Sequence, residues 1–228
     1  QQDEFDKILA VHESFLMRRL ITNDTPKNYN KFFVDLIRVM DKGGDLTAQA
    51  LKEHLAKGTG ESNRFPTNDA ILSAIVEMPL YGRLPQRKVR AVLEALDAFN
   101  ASSKSEALAM PTKLTIEHVL PQSWEQHWPL PADAAKDPVE KEKATARRDA
   151  MLNTLGNLTL ITNKLNPSLS NAAWDTKRPE LLKFSKLNLT RYFHGKEADK
   201  WGEDAIFQRT KTLLGQLLQI WPDVPRAT

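Results

Sequence analysis

The sequence predicts a mainly α-helical protein with one small β-β-α element embedded in its second half. Three observations carry that prediction. Apolar residues recur near every 3.6 positions through most of residues 1–109. Two short β-rich runs, Leu114–Leu120 and Leu158–Thr162, are bounded by Pro, Gly and Asn. A last strongly periodic stretch, with Ile206, Phe207, Leu213, Leu214, Leu217 and Leu218, then marks a helix over about 203–221.

Taken in order, helices are expected at about 5–21, 29–41, 46–57, 68–78 and 86–100. Their stop signals are Asn23-Asp24-Thr25-Pro26, Gly43-Gly44, Gly58-Thr59-Gly60 and Met78-Pro79. Asp45 and Thr67 are the expected N-caps, because a short oxygen-bearing side chain can accept from a free N–H of the first turn. His12 and His54 fall inside these helices and read as structural or surface residues. The small polar stretch Ala101–Ser105 divides this helical region, 1–109, from a second region, 110–228. There Leu114–Leu120 runs into Pro121 as a strand and turn. The Pro-, Asp- and Lys-rich insertion from Trp128 to about Arg148 has a helical middle, Leu158–Thr162 is the second strand, and a short helix is expected at 179–187.

Composition limits the chemistry. A chain of 228 residues, 41% hydrophobic, can bury one sizeable core or two modest ones. No apolar run approaches the roughly 20 residues that span a bilayer, and Gln1-Gln2-Asp3-Glu4 lacks the basic and apolar regions of a signal peptide, so no membrane partner and a cytoplasmic location are expected. There is no initiator Met and a helical pattern begins at once, so upstream domains are expected. Cysteine is absent, which excludes thiolate nucleophiles and Cys-ligated zinc. Any metal would sit on O and N ligands, which suit Mg²⁺ or Mn²⁺. The net charge is +3 and the excess lies in the second region. From Lys164 to Lys196 the basic residues are Lys164, Lys177, Arg178, Lys183, Lys186, Arg191 and Lys196, against Asp175 and Glu180. Such a run suits phosphate, although taken alone it equally fits a solvated helix face.

Strand, long loop, strand, helix, with a His ending the first strand and Asn flanking the second, is the order of a ββα-metal finger. Phosphodiester hydrolysis needs a base for water and a cation for the phosphate charge. A neutral imidazole, His118, supplies the base near pH 7. A carboxylate or amide oxygen supplies the metal ligand, and Glu117 and His118 point in different directions along a strand. His127, between Trp124 and Trp128, and His194, after Tyr192-Phe193, are weaker candidates. No phosphate-cradling Gly-rich loop is present.

Ile116-Glu117-His118-Val119-Leu120-Pro121-Gln122, then Leu155-Gly156-Asn157-Leu158-Thr159-Leu160-Ile161-Thr162, then Asn166-x-x-Leu169-Ser170-Asn171 and Lys177, together resemble the C-terminal HNH domain of GmrSD-type modification-dependent restriction enzymes. The pattern is also similar to the nuclease part of SspE phage-defence proteins, and covers roughly 110–221. HNH nucleases place the last ligand nine positions after the middle Asn, which here joins Asn157 to Asn166. The resemblance implies a DNA endonuclease of a bacterial, cytoplasmic anti-phage system that acts on phage or modified duplex DNA. It implies His118 as general base, Asn157 as the residue fixing the His-bearing loop and the imidazole, and Asn166 as ligand of Mg²⁺ or Mn²⁺. Glu117 stands where a ligating Asp is frequent. Lys164, Asn171, Lys177, Lys183 and Lys186 are the expected DNA contacts, and an upstream NTP-hydrolysing sensor domain is the expected partner. Many relatives carry zinc-binding cysteines where this chain has Thr162 and Leu165, so packing must hold the finger. A DNA-binding or regulatory helical module with an inactive finger, and an RNA-directed nuclease, are the competing readings of the same residues.

Overall fold

A computed structural model describes residues 2–101, 113–165 and 171–226. The backbone packs into two units: residues 1–74 with 217–228, and residues 75–216. The division expected between 109 and 110 falls outside the described residues. Only one linear boundary can be read from a change in composition, whereas packing returns the end of the last helix to the first unit.

The first unit is helical. Helix α1 (Gln2–Ile21), α2 (Tyr29–Gly43) and α3 (Ala48–Ala56) enclose a core of Val11, Phe15, Leu36, Leu51, Leu55 and Phe65. Gly44 ends α2 with φ 65°, a left-handed conformation that glycine adopts without steric cost. The N-cap of α3 is Thr47, whose hydroxyl accepts from Ala50 N at 3.2 Å; the expected Asp45 instead accepts from the Thr47 hydroxyl at 2.6 Å. Both residues are competent caps, and the backbone turns into the helix two residues later than expected. Thr67 caps α4 (Asn68–Val76) as expected, accepting from Ala70 N at 3.2 Å. Buried Arg18 and Arg19 reach backbone carbonyls of residues distant in sequence, Pro66 and Trp221 for Arg18, Arg64 and Glu61 for Arg19, and Arg19 also reaches the nearby Thr25 carbonyl. These cations act as structural staples, because donors on one fork satisfy several otherwise orphaned carbonyls.

The second unit contains α5 (Gln86–Phe99), β1 (Leu114–His118), α6 (Pro138–Leu152), β2 (Leu158–Thr162), α7 (Trp174–Phe184) and most of α8 (Glu203–Ile220). The strands form an antiparallel pair in the register Leu114↔Thr162 to His118↔Leu158. This small sheet lies against a core of Val119, Leu120, Trp124, Trp128, Ile161, Trp174, Phe193 and Trp201. Leu165 is buried in the same cluster.

Two further differences have local causes. Helix α7 starts at Trp174 rather than at 179, and Pro179 lies inside it. Burial of Trp174, Lys177 and Leu181 along one face outweighs the bond lost at the proline, and the carbonyl it leaves free belongs to solvent-exposed Asp175. The segment Asn188–His194 forms a 3₁₀ helix not foreseen from periodicity; it is held by buried Asp97 of α5, which accepts from Leu189 N at 2.8 Å and Asn188 Nδ2 at 3.3 Å. Its cap comes from a residue 92 positions away, beyond the reach of any local pattern.

Candidate functional site

His118 closes β1, and three elements of the second unit surround it. Its Nε2 lies 2.9 Å from Oδ1 of Asn153, the residue that ends α6. The Tyr81 ring meets the imidazole edge-on, centroids 4.8 Å apart at 80°. On the backbone side, Lys177 of α7 donates from Nζ to the His118 carbonyl at 2.9 Å and to Glu117 Oε1 at 2.6 Å. Burial holds the His118 pKa below its ordinary 6.5; the bond to Asn153 opposes that shift and the Lys177 charge adds to it. The imidazole is therefore neutral at neutral pH.

Glu117 and Lys177 form a buried ion pair, their side chains 10% and 0% exposed. Desolvation pushes the Glu117 carboxyl up and the Lys177 ammonium down, and the contact between them opposes both shifts. Lys177 thus has a different place from the expected phosphate contact. Its ammonium is enclosed, with no path to a nucleic acid, and spacing could not show that the helix turns it inward. The same pair takes up the Glu117 carboxylate that was expected at a metal.

Asn157 is fully buried at the start of β2. Its Oδ1 accepts from Leu120 N at 2.8 Å and from the Trp201 indole at 3.2 Å. Its Nδ2 donates to Leu120 O at 2.8 Å and Leu152 O at 2.9 Å, while its backbone carbonyl accepts from Val119 N at 2.9 Å. It therefore ties down the turn after His118. The imidazole itself is held by Asn153, which sequence reasoning missed: an Asn at a helix end reads as an ordinary cap. Arg209 of α8 braces the backbone on either side of Asn157, donating to Gly156 O and Leu158 O, both at 2.8 Å. It is fully buried and its pKa is lowered by burial to about 9, so it stays charged at pH 7, over the Phe193 ring. Gly156 is required here, because a Cβ would press on Ile206 O and on the Thr210 backbone N and hydroxyl at under 3.0 Å.

Among the described residues no three His, Asp or Glu side chains are grouped as a metal cage. Asn166, the other expected ligand, lies outside the described residues. With Glu117 held by Lys177, the described residues alone do not fit a divalent ion. Lys164, Asn171, Lys183 and Lys186 are exposed, with Lys183 on α7 and Lys186 just beyond it. His127 and His194 are also exposed. No helix is long and apolar enough to cross a membrane among the described residues.

Comparison with curated proteins gives no match, and comparison with solved structures gives none. Residues 65–216 match the family described as GmrSD restriction endonucleases, C-terminal domain. That segment contains every element around His118 and nearly coincides with the second unit. The chain belongs to the family of GmrSD restriction endonuclease C-terminal domains.

Proposed function

We propose that this chain is a metal-dependent HNH endonuclease that hydrolyses phosphodiester bonds of DNA, as the effector part of a bacterial, cytoplasmic anti-phage restriction protein. The observation that carries the reading is His118: a neutral imidazole at the end of an antiparallel strand pair, anchored through one ring nitrogen, within the family-matched segment. In this reading β1, β2 and the chain that follows form the ββα finger, and His118 takes the proton from the attacking water. Asn157 holds the turn that carries it. A bound Mg²⁺ or Mn²⁺ would neutralise charge on the phosphate and the leaving oxygen. Asn166 is the proposed ligand, and Glu117 could join it only by exchanging Lys177 for the ion. Lys164, Asn171, Lys183 and Lys186 are proposed to meet the DNA backbone, and the NTP-hydrolysing sensor is proposed to lie upstream in the whole protein.

The test is plasmid nicking with Mg²⁺, with Mn²⁺ and with chelator, for the wild-type chain and for His118→Ala. The variant is expected to lose at least about 100-fold in rate while DNA affinity stays within about twofold, since the imidazole serves the barrier rather than binding. Because burial lowers the His118 pKa, the acid limb of the rate profile is expected below pH 6.5. Cleavage by His118→Ala within tenfold of wild type would leave the competing reading, a DNA-binding module with an inactive finger.

A further inference from the structure

We propose that Asn153 is a positioning residue: its side-chain oxygen keeps the proton of the neutral His118 ring on Nε2 and leaves Nδ1 as the nitrogen that takes a proton from water. The inference rests on His118 being the base. An amide oxygen only accepts, so a ring nitrogen 2.9 Å from it must be the N–H of the neutral imidazole, and the other nitrogen then carries the lone pair. Gln122 Nε2 approaches the same oxygen at 3.4 Å, a second donor that agrees with oxygen rather than NH₂ at that place. Among the described residues Nδ1 makes no hydrogen bond, and it is not one of the polar atoms sealed from solvent without a partner. Among the described residues no protein group competes with water for Nδ1, and His118 is half-buried rather than fully enclosed.

Asn153 is itself held rigidly. Its backbone carbonyl accepts from Leu80 N at 2.8 Å and Tyr81 N at 3.1 Å, at the end of α6. The Tyr81 ring bears edge-on against the imidazole, and the Tyr81 hydroxyl accepts from Gln86 Nε2 at 2.7 Å. One peptide carbonyl thus couples the residue that grips the ring edge to the residue that packs on the ring. The imidazole cannot turn over without breaking this clamp, so the nitrogen presented to water is set by a residue 35 positions away from it.

The test pairs ring spectroscopy with kinetics. In protein labelled with ¹⁵N-histidine, NMR at pH 8 is expected to show His118 protonated at Nε2 and bare at Nδ1. Asn153→Asp, which keeps an oxygen there, should preserve that tautomer. Asn153→Ala should lose the single tautomer and lower turnover at saturating DNA by about 30-fold, with KM for DNA within about twofold, because orientation serves the chemical step. A wild-type ring protonated at Nδ1 overturns the proposal, as does a folded Asn153→Ala chain with turnover within threefold of wild type. If the Ala variant does not fold, the wild-type spectrum and Asn153→Asp still decide. The spectrum needs no cleavage, so failure of the nuclease reading, seen as undiminished cleavage by His118→Ala, is distinguishable from failure of this one.

Discussion

Asn157→Ala removes one side chain and leaves four buried groups without it: the N–H and C=O of Leu120, the C=O of Leu152 and the indole N–H of Trp201. Leaving a buried donor or acceptor unsatisfied costs about 1–3 kcal/mol, and carbonyls with a second lone pair fall at the low end. Water admitted to the space of the lost amide offsets part of this. The sum is roughly 4 kcal/mol, a large share of the 5–15 kcal/mol by which domains are typically stable, and it corresponds to a fall in Tm on the order of 10 °C. Asn157→Asp keeps both acceptor bonds but turns a carboxylate oxygen toward the carbonyls of Leu120 and Leu152, so it is expected to be no better than Ala. The assay is urea unfolding followed by tryptophan fluorescence, since Trp201 bonds directly to Asn157 and Trp124, Trp128 and Trp174 share its core. The surviving folded fraction should cleave more slowly with an unchanged metal requirement. A loss below about 1 kcal/mol, or an Asp variant clearly more stable than Ala, would refute the account of Asn157 as a doubly donating, doubly accepting brace.

Lys177→Met strands the Glu117 carboxylate in the interior and is expected to cost about 3–5 kcal/mol at pH 8. Its Glu117 pKa then lies further above 4.5, so the folded chain binds more protons than the unfolded one and stability falls as pH rises through that window. The defect should therefore be smaller at pH 5, and Glu117→Gln added to Lys177→Met should recover much of it. Equal urea midpoints for wild type and Lys177→Met at pH 8 would count against the pair. Reversing Lys183 and Lys186 to Glu should weaken DNA binding across sequences and flatten its log–log salt slope by about 2, with turnover at saturating DNA preserved. Unchanged binding at low salt would make these lysines a solvated face only. Asn166→Ala should raise the Mg²⁺ concentration for half-maximal nicking, and Asn166→Asp should recover better than Ala. If Asn157→Ala shows the metal defect and Asn166→Ala does not, the two asparagines are wrongly assigned.

Gly156 and Asn157 show how far local pattern reaches. As a dipeptide before a β-rich run they mark a turn, and the turn is there. That Gly156 must lack a side chain follows only from α8 crossing it, where Ile206 and Thr210 occupy the space of a Cβ. Gly156→Ala should accordingly destabilise the second unit, although the backbone conformation alone would tolerate alanine.

By itself the sequence determined what depends on neighbours along the chain. The five helices of the first hundred or so residues, both strands, the long last helix and the Gly44 stop follow from the 3.6- and 2-residue periods and from turn chemistry, which act within a few residues. The order of His118, Asn157 and the basic run was likewise legible, and so was the family. The tertiary structure decided which groups meet. It brings Asn153 and Tyr81 to the imidazole, turns Lys177 inward onto Glu117 and returns the end of α8 to the first unit. Those contacts join residues tens of positions apart and come from burial of whole faces, which sequence spacing does not encode. A lysine in a basic run looks the same whether its helix faces solvent or core, and only the packed structure gives Lys177 a carboxylate instead of a phosphate.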